Sequence, residues 1–94
     1  MVQTTRGRDS ATARFRAFDA ASVLIRAEYA LDADPLVPLL ADDGIIDSRE
    51  EMFTVTVKPP DGREHLLTVR LYDAAGNVGV GKTVWSALEA TGNR

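Results

Sequence analysis

The 94-residue sequence predicts an all-β chain, an antiparallel β-sandwich of about six to seven strands. Three observations predict it. Apolar residues recur at every second position in four separate runs. Clusters of Asp, Pro, Gly, Ser and Asn lie between those runs. Nothing keeps an apolar period of 3.6 residues for longer than about two turns.

The opening MVQTTRGRDS, residues 1–10, is polar and reads as a frayed, disordered start. Ala11 to Asp19 then places Ala13, Phe15 and Ala17 on one face and Arg14 and Arg16 on the other, as a half-buried strand does. Asp19-Ala20-Ala21-Ser22 is a short turn. Val23 to Leu31 alternates again, with Val23, Ile25, Ala27, Tyr29 and Leu31 expected inward. Two such runs joined so closely predict an antiparallel hairpin.

Pro35 and Pro38 restrict Leu36 to Leu40 to a short edge strand, because proline cannot donate to a ladder. In Ala41 to Glu51, Ser48 followed by Glu51 matches a capping box, which predicts one short helical turn. Met52 to Lys58 is a strand with Phe53, Val55 and Val57 inward. Pro59-Pro60-Asp61-Gly62 is the strongest turn signal in the chain. His65 to Tyr72 alternates through Leu67, Val69 and Leu71. It stops at Asp73-Ala74-Ala75-Gly76-Asn77, where Gly and Asn accept the left-handed backbone of a tight turn. Asn77 to Ala87 is the return strand, and residues 88–94 read as a flexible tail. The sandwich is therefore expected over residues 11–87.

Composition excludes several classes. There is no cysteine, hence no disulfide, thiol nucleophile or thiolate metal site. No segment approaches the about 18 apolar residues of a membrane helix, so membrane insertion is not expected. Net charge is −3 and unevenly spread. Residues 1–26 carry five arginines against two aspartates, while residues 27–51 carry eight acids against Arg49. An acidic middle argues against nucleic acid as a partner, since phosphates want a contiguous basic face. Abundant Ala and Arg with only Lys58 and Lys82 suggest a bacterial, GC-rich source.

Four features are candidates for chemistry. Gly76 to Thr83, GNVGVGKT, spells the phosphate-loop pattern. Only 11 residues follow it, too few for the parallel α/β sheet such a loop needs, and no cofactor is expected. The acidic loop with Asp42, Asp43 and Asp47, joined by Asp73 if the turns meet, is a calcium candidate by its oxygen content. Its spacing is not that of an EF-hand, and the same residues serve as turn and cap ligands. His65 is the only histidine, so no base–nucleophile pair or zinc set is evident and a non-catalytic chain is expected. Trp85 in the last strand is either core or a contact for a partner, since tryptophan serves both uses.

His65 to Asn77 resembles the last hairpin of fibronectin type III and related bacterial immunoglobulin-like domains. Their pattern Tyr-x-hydrophobic-x-Val-x-Ala-x-Asp-x-x-Gly-Asn is filled here by His65, Leu67, Val69, Leu71, Asp73, Gly76 and Asn77. Phe15 to Tyr29 is similar to an earlier strand pair of the same modules. Asp43 to Ser48, with Glu51 and Phe53, is similar to a stretch of such domains at the C-termini of large bacterial surface proteins. The resemblance implies a non-catalytic accessory module of a larger bacterial protein that is extracellular, periplasmic or at the cell surface. It would space domains or contact protein, with an upstream domain of the same chain as its first partner. The alternative is a ligand-binding module for carbohydrate, peptide or calcium, through the acidic loop or the Trp85 face. Two departures stand out. His65 takes the place of a tyrosine whose hydroxyl clamps a neighbouring corner. The family's first strand has no counterpart in the sequence pattern, so an open sheet edge and an edge-strand dimer are expected.

Overall fold

The computed structural model of the chain describes residues 2–88. Among these residues, seven strands form two antiparallel sheets. They are β1 (Val2–Arg6), β2 (Ala11–Phe18), β3 (Leu24–Leu31), β4 (Val37–Leu39), β5 (Glu50–Val57), β6 (His65–Asp73) and β7 (Val78–Trp85). One sheet has the order β1-β2-β5 and the other β4-β3-β6-β7. The sheets enclose a core of Phe15, Leu24, Phe53, Val55, Leu67, Val69 and Trp85, filled in by small alanines of β2 and β3. Phe15 and Phe53 are ladder partners, and their rings stack with centroids 5.3 Å apart.

β2 and β5 follow the expected alternation. Ala11, Ala13, Phe15 and Ala17 of β2 are buried, as are Phe53 and Val55 of β5, with Arg14, Arg16, Thr54 and Thr56 outward. β4 is the short edge strand expected beside the prolines, paired with Ala27 to Tyr29. β6 and β7 form the hairpin that closes at Asp73 to Asn77.

Four expectations are corrected. The first strand is present within the stretch read as a frayed start: β1 pairs with β2 from Val2 opposite Phe15 to Arg6 opposite Ala11. β1 is an edge strand that is polar and exposed on both faces, so it carries no burial alternation to read. It is held by its ladder, by the Gly7 N–H bond to Ser10 O (2.8 Å) and by the Arg6 side chain.

β2 and β3 are not a hairpin, because they belong to different sheets. The Asp19 carboxylate accepts the N–H groups of Ala21 (2.9 Å) and Ser22 (3.0 Å), which turns the chain sharply. The corner is fastened by Asp19 N–H to Arg49 O (2.8 Å) and Leu24 N–H to Ser48 O (2.9 Å).

The start of β3 is out of the expected phase. The pairing skips from Leu24 opposite Asp73 to Arg26 opposite Tyr72, so Ile25 is an extra, bulged residue. Leu24 enters the core while Val23 and Ile25 face solvent. From Ala27 onward the expected phase holds, with Tyr29 and Leu31 packed against the core.

No helical turn forms at Ser48 to Glu51, where β5 has already begun. Ser48 Oγ accepts Glu50 N–H (3.3 Å) and the Glu51 carboxylate accepts Asp47 N–H (2.9 Å). Side-chain bonds that cap a helix serve equally well to tighten a loop, and here pairing of Glu50 with Phe18 and Glu51 with Ala17 decides the outcome. Leu88, read as the start of the tail, donates its N–H to Gly62 O (2.8 Å), and the rest of that tail lies outside the described residues.

Candidate interaction surface

The most closely built polar site gathers at one end of the sandwich, where β3 ends and β6 begins. Asp32 stands in the left-handed region (φ 54°), which aspartate tolerates better than most residues. It trades backbone and side-chain bonds with β6: its N–H donates to Leu66 O (2.7 Å), and its carboxylate accepts Leu66 N–H (2.9 Å). The second oxygen of Asp32 lies 2.7 Å from His65 Nδ1. On the far side of the ring, Asp61 Oδ1 lies 2.8 Å from Nε2 and also accepts Arg63 N–H (2.9 Å).

This geometry favours the charged form of His65. A neutral imidazole donates from one nitrogen only, and both nitrogens here face carboxylate oxygens. The arrangement therefore favours an imidazolium between two carboxylates. The Asp32 contact raises its pKa above the ordinary value, burial opposes this, and Asp61 adds to the rise. Both carboxylates are held below their ordinary values, first by backbone N–H groups (Leu66 for Asp32, Arg63 for Asp61) and then by His65.

Arg6 completes the clamp from the other sheet. Its guanidinium donates to the carbonyls of Asp61 (2.6 Å), Arg63 and Ser86 (2.8 Å). One end of β1, the turn before β6 and the end of β7 are thereby joined. The resemblance implies a tyrosine at the position of His65, and the bonds made there are ionic. The sequence reading did not connect Asp32, Asp61 and Arg6 with His65. The available signal was Asp61 four residues before the only histidine, within a tight turn.

A second cluster lies on the outer face of the four-stranded sheet. Tyr72 Oη donates to Glu28 (2.6 Å), Arg26 reaches the same carboxylate (3.2 Å), and the Arg26 guanidinium sits 4.3 Å from the Tyr72 ring centre. The Tyr72 bond is the chief reason that Glu28 titrates below its ordinary value.

The calcium candidates are not brought together. Asp42 faces Arg14 (3.6 Å) and Asp43 accepts Ile45 N–H (3.0 Å) in its own turn. Asp73 is committed to the hairpin: its carboxylate accepts Ala75 N–H (3.0 Å), Asn77 N–H (2.8 Å) and Asn77 Nδ2 (3.0 Å). The Asn77 side chain, followed by its N–H, is the main cause of the lowered pKa of Asp73. Among the described residues, no group of three or more His, Asp or Glu side chains is arranged to hold a metal ion. The phosphate-loop pattern is a turn and a strand: Gly76 takes φ 89° in the turn, and Val78 to Thr83 belong to β7.

Trp85 is core, which corrects its place among the partner contacts. It is 2% exposed, and its Nε1–H donates to Thr12 O in the opposite sheet (3.0 Å). What β7 does expose is its outer face and its edge. Val78, Val80 and Val84 are 53%, 58% and 43% exposed. On the inner face, Gly81 offers no side chain to the core. An apolar slot of about 220 Å³ opens there, lined by Val2, Phe15, Leu67, Val69, Leu71 and Thr83 among others.

No protein-family model matches the chain, and no curated protein sequence matches it significantly. Among solved structures, the sulfane dehydrogenase SoxCD from Paracoccus pantotrophus shares the fold, with a TM-score of 0.64 and 16% identity over 90% of this chain. The match spans 29% of the SoxCD chain. At that identity the likeness is one of fold.

Proposed function

We propose that the chain is a non-catalytic, immunoglobulin-like accessory domain of the fibronectin type III kind, which spaces neighbouring domains or contacts protein in a larger secreted or cell-surface bacterial protein. The observation that carries this reading is the course of the first and last strands. β1 runs from Val2, opposite Phe15, toward Arg6, opposite Ala11. β7 ends at Trp85, opposite His65, at the same end of the sandwich as Arg6. β1 thus starts at one end of the sandwich and β7 finishes at the other, a placement that suits a domain set in series.

The strand order supports the immunoglobulin-like assignment. In sequence order, strands one, two and five form one sheet and three, six and seven the core of the other, as in immunoglobulin domains. The short fourth strand here joins the second sheet. In SoxCD the same fold likewise takes up a minor part of a longer chain. The polar clusters favour a structural role, since His65, Asp73 and Tyr72 each spend their polar atoms on neighbours. An immunoblot of fractionated host cells with an antibody against the domain tests the reading. One large band in the envelope or medium is expected, and a cytoplasmic band near 10 kDa overturns it.

A further inference from the structure

We propose that β7 is a self-pairing edge, along which a second copy of the domain adds antiparallel about Gly81 to join the two four-stranded sheets into one. The edges of the molecule are treated differently. β4 is three residues long and carries Pro38, a standard device against strand addition. On β5, the loop donates Asp42 N–H to Met52 O (2.8 Å) and covers part of that edge. β7 is eight residues long, has no proline, pairs with β6 without a bulge, and its only charge is Lys82. A long edge with a single charge and no proline is a pairing site.

The register follows from the hydrogen-bond parity. Asp73 N–H donates to Asn77 O at the turn (3.0 Å). Bonded pairs alternate in an antiparallel ladder, so β6 is served by the backbone groups of Gly79, Gly81 and Thr83. Those of Val78, Val80, Lys82 and Val84 point to the open edge. A two-fold arrangement must pair these four among themselves. Centred on residue 82, it sets Lys82 against Lys82 of the second copy. Centred on residue 80, it leaves Val84 unpaired. Centred on Gly81, it pairs Val78 with Val84 and Val80 with Lys82, for about eight backbone bonds and no like-charge contact. It also lays the second copy's Gly81 and Thr83 along the mouth of the apolar slot beside Val2 and Phe15.

The buried area sets the strength. A stable interface uses about 20–30 residues from each side, and one eight-residue strand with the rim of the slot supplies roughly half of that. The dimer is therefore weak, dissociating at roughly 0.1–1 mM. The pairing deepens the protein-contact part of the proposed function. Localisation does not enter its test, so either reading can fail without the other.

Sedimentation velocity of the domain from about 10 µM to 1 mM is the experiment, with three variants. The wild type is expected to shift toward dimer as concentration rises. Val80→Glu faces the second copy's Lys82 and is expected to tighten the dimer several-fold. Val80→Lys faces the same lysine and is expected to weaken it at least tenfold. Val80→Pro removes an N–H that points away from β6, so it should keep the fold by circular dichroism and abolish pairing. A wild type that stays monomeric at 1 mM overturns the proposal. So does a dimer that Glu and Lys at position 80 affect alike, or one that a folded Val80→Pro variant still forms.

Discussion

Trp85 joins the two sheets through both its buried ring and its Nε1–H bond to Thr12 O, so Trp85→Phe is an informative single change. The substitution removes the donor to Thr12 O, a bond worth about 1 kcal/mol net. It also deletes part of a fully enclosed ring system, which adds about 1–2 kcal/mol for lost burial and unfilled space. The expected cost is about 2–3 kcal/mol, and Trp85→Ala should cost about 3–5 kcal/mol. A domain of this size has roughly 5–15 kcal/mol in total, so both variants should fold, with alanine close to the limit. Urea unfolding followed by far-ultraviolet circular dichroism reads the effect. With a slope of roughly 1 kcal/mol per molar, the Trp85→Phe midpoint should fall by about 2–3 M. A loss below about 0.5 kcal/mol would refute the placement of this ring. So would iodide quenching of the wild-type fluorescence as strong as that of free indole.

Further outcomes follow from the polar sites. His65 has a raised pKa, so its clamp contributes most below about pH 6.5, the unfolded value, and the contribution is lost as pH rises through the folded value. The melting temperature should fall across that window, and His65→Gln should flatten the slope; a histidine ring titrating at or below its ordinary pKa by NMR would contradict the clamp. Asp73 has a lowered pKa, so its support is present above the ordinary aspartate value and lost as pH falls through the folded one. Asp73→Ala should therefore lower the melting temperature at pH 7 and reduce the steepness of acid unfolding. Arg6→Ala should release β1 from the far sheet and lower the melting temperature by about 4–8 °C, the shift expected for 1 kcal/mol in a domain of this size. Excess calcium against chelator should leave the melting temperature unmoved, because Asp43 and Asp73 already bond within their own turns.

The sequence was informative where burial is one-sided. β2, β5 and β6 each bury one face, and their alternation names Phe15, Phe53, Val55, Leu67 and Val69 as core without a structure. β1 was illegible for the opposite reason: both faces of VQTTR meet water, so nothing in the pattern marks it. The β2–β3 connection failed because proximity in sequence suggests a hairpin, whereas the Asp19 turn directs the chain into the other sheet. At β3, one bulged residue reversed the phase of Val23, Leu24 and Ile25, which no period of two can anticipate. The polar clamp was hidden by distance, since Asp32 lies 33 residues from His65 and Arg6 another 26 before that.

A corner fastened by an ionic clamp responds to pH differently from one fastened by a hydroxyl. A tyrosine at position 65 would fasten the corner through a group that stays neutral until about pH 10. His65 fastens it through a charge that is lost as pH rises through a pKa that Asp32 and then Asp61 hold above the ordinary histidine value. The same clamp passes through Asp61 and Arg63 to Arg6 and hence to β1, the strand beside the slot at its Val2 end. Loosening at one end of the sandwich is therefore connected by covalent chain to the rim of the β7 edge at the other. A domain carrying His65→Gln, whose corner no longer titrates, should show the same dimer affinity below and above the pH at which the wild-type ring titrates by NMR. The wild type should pair differently on the two sides of that transition, because β1 links the clamp to the slot, and identical affinities would refute this link.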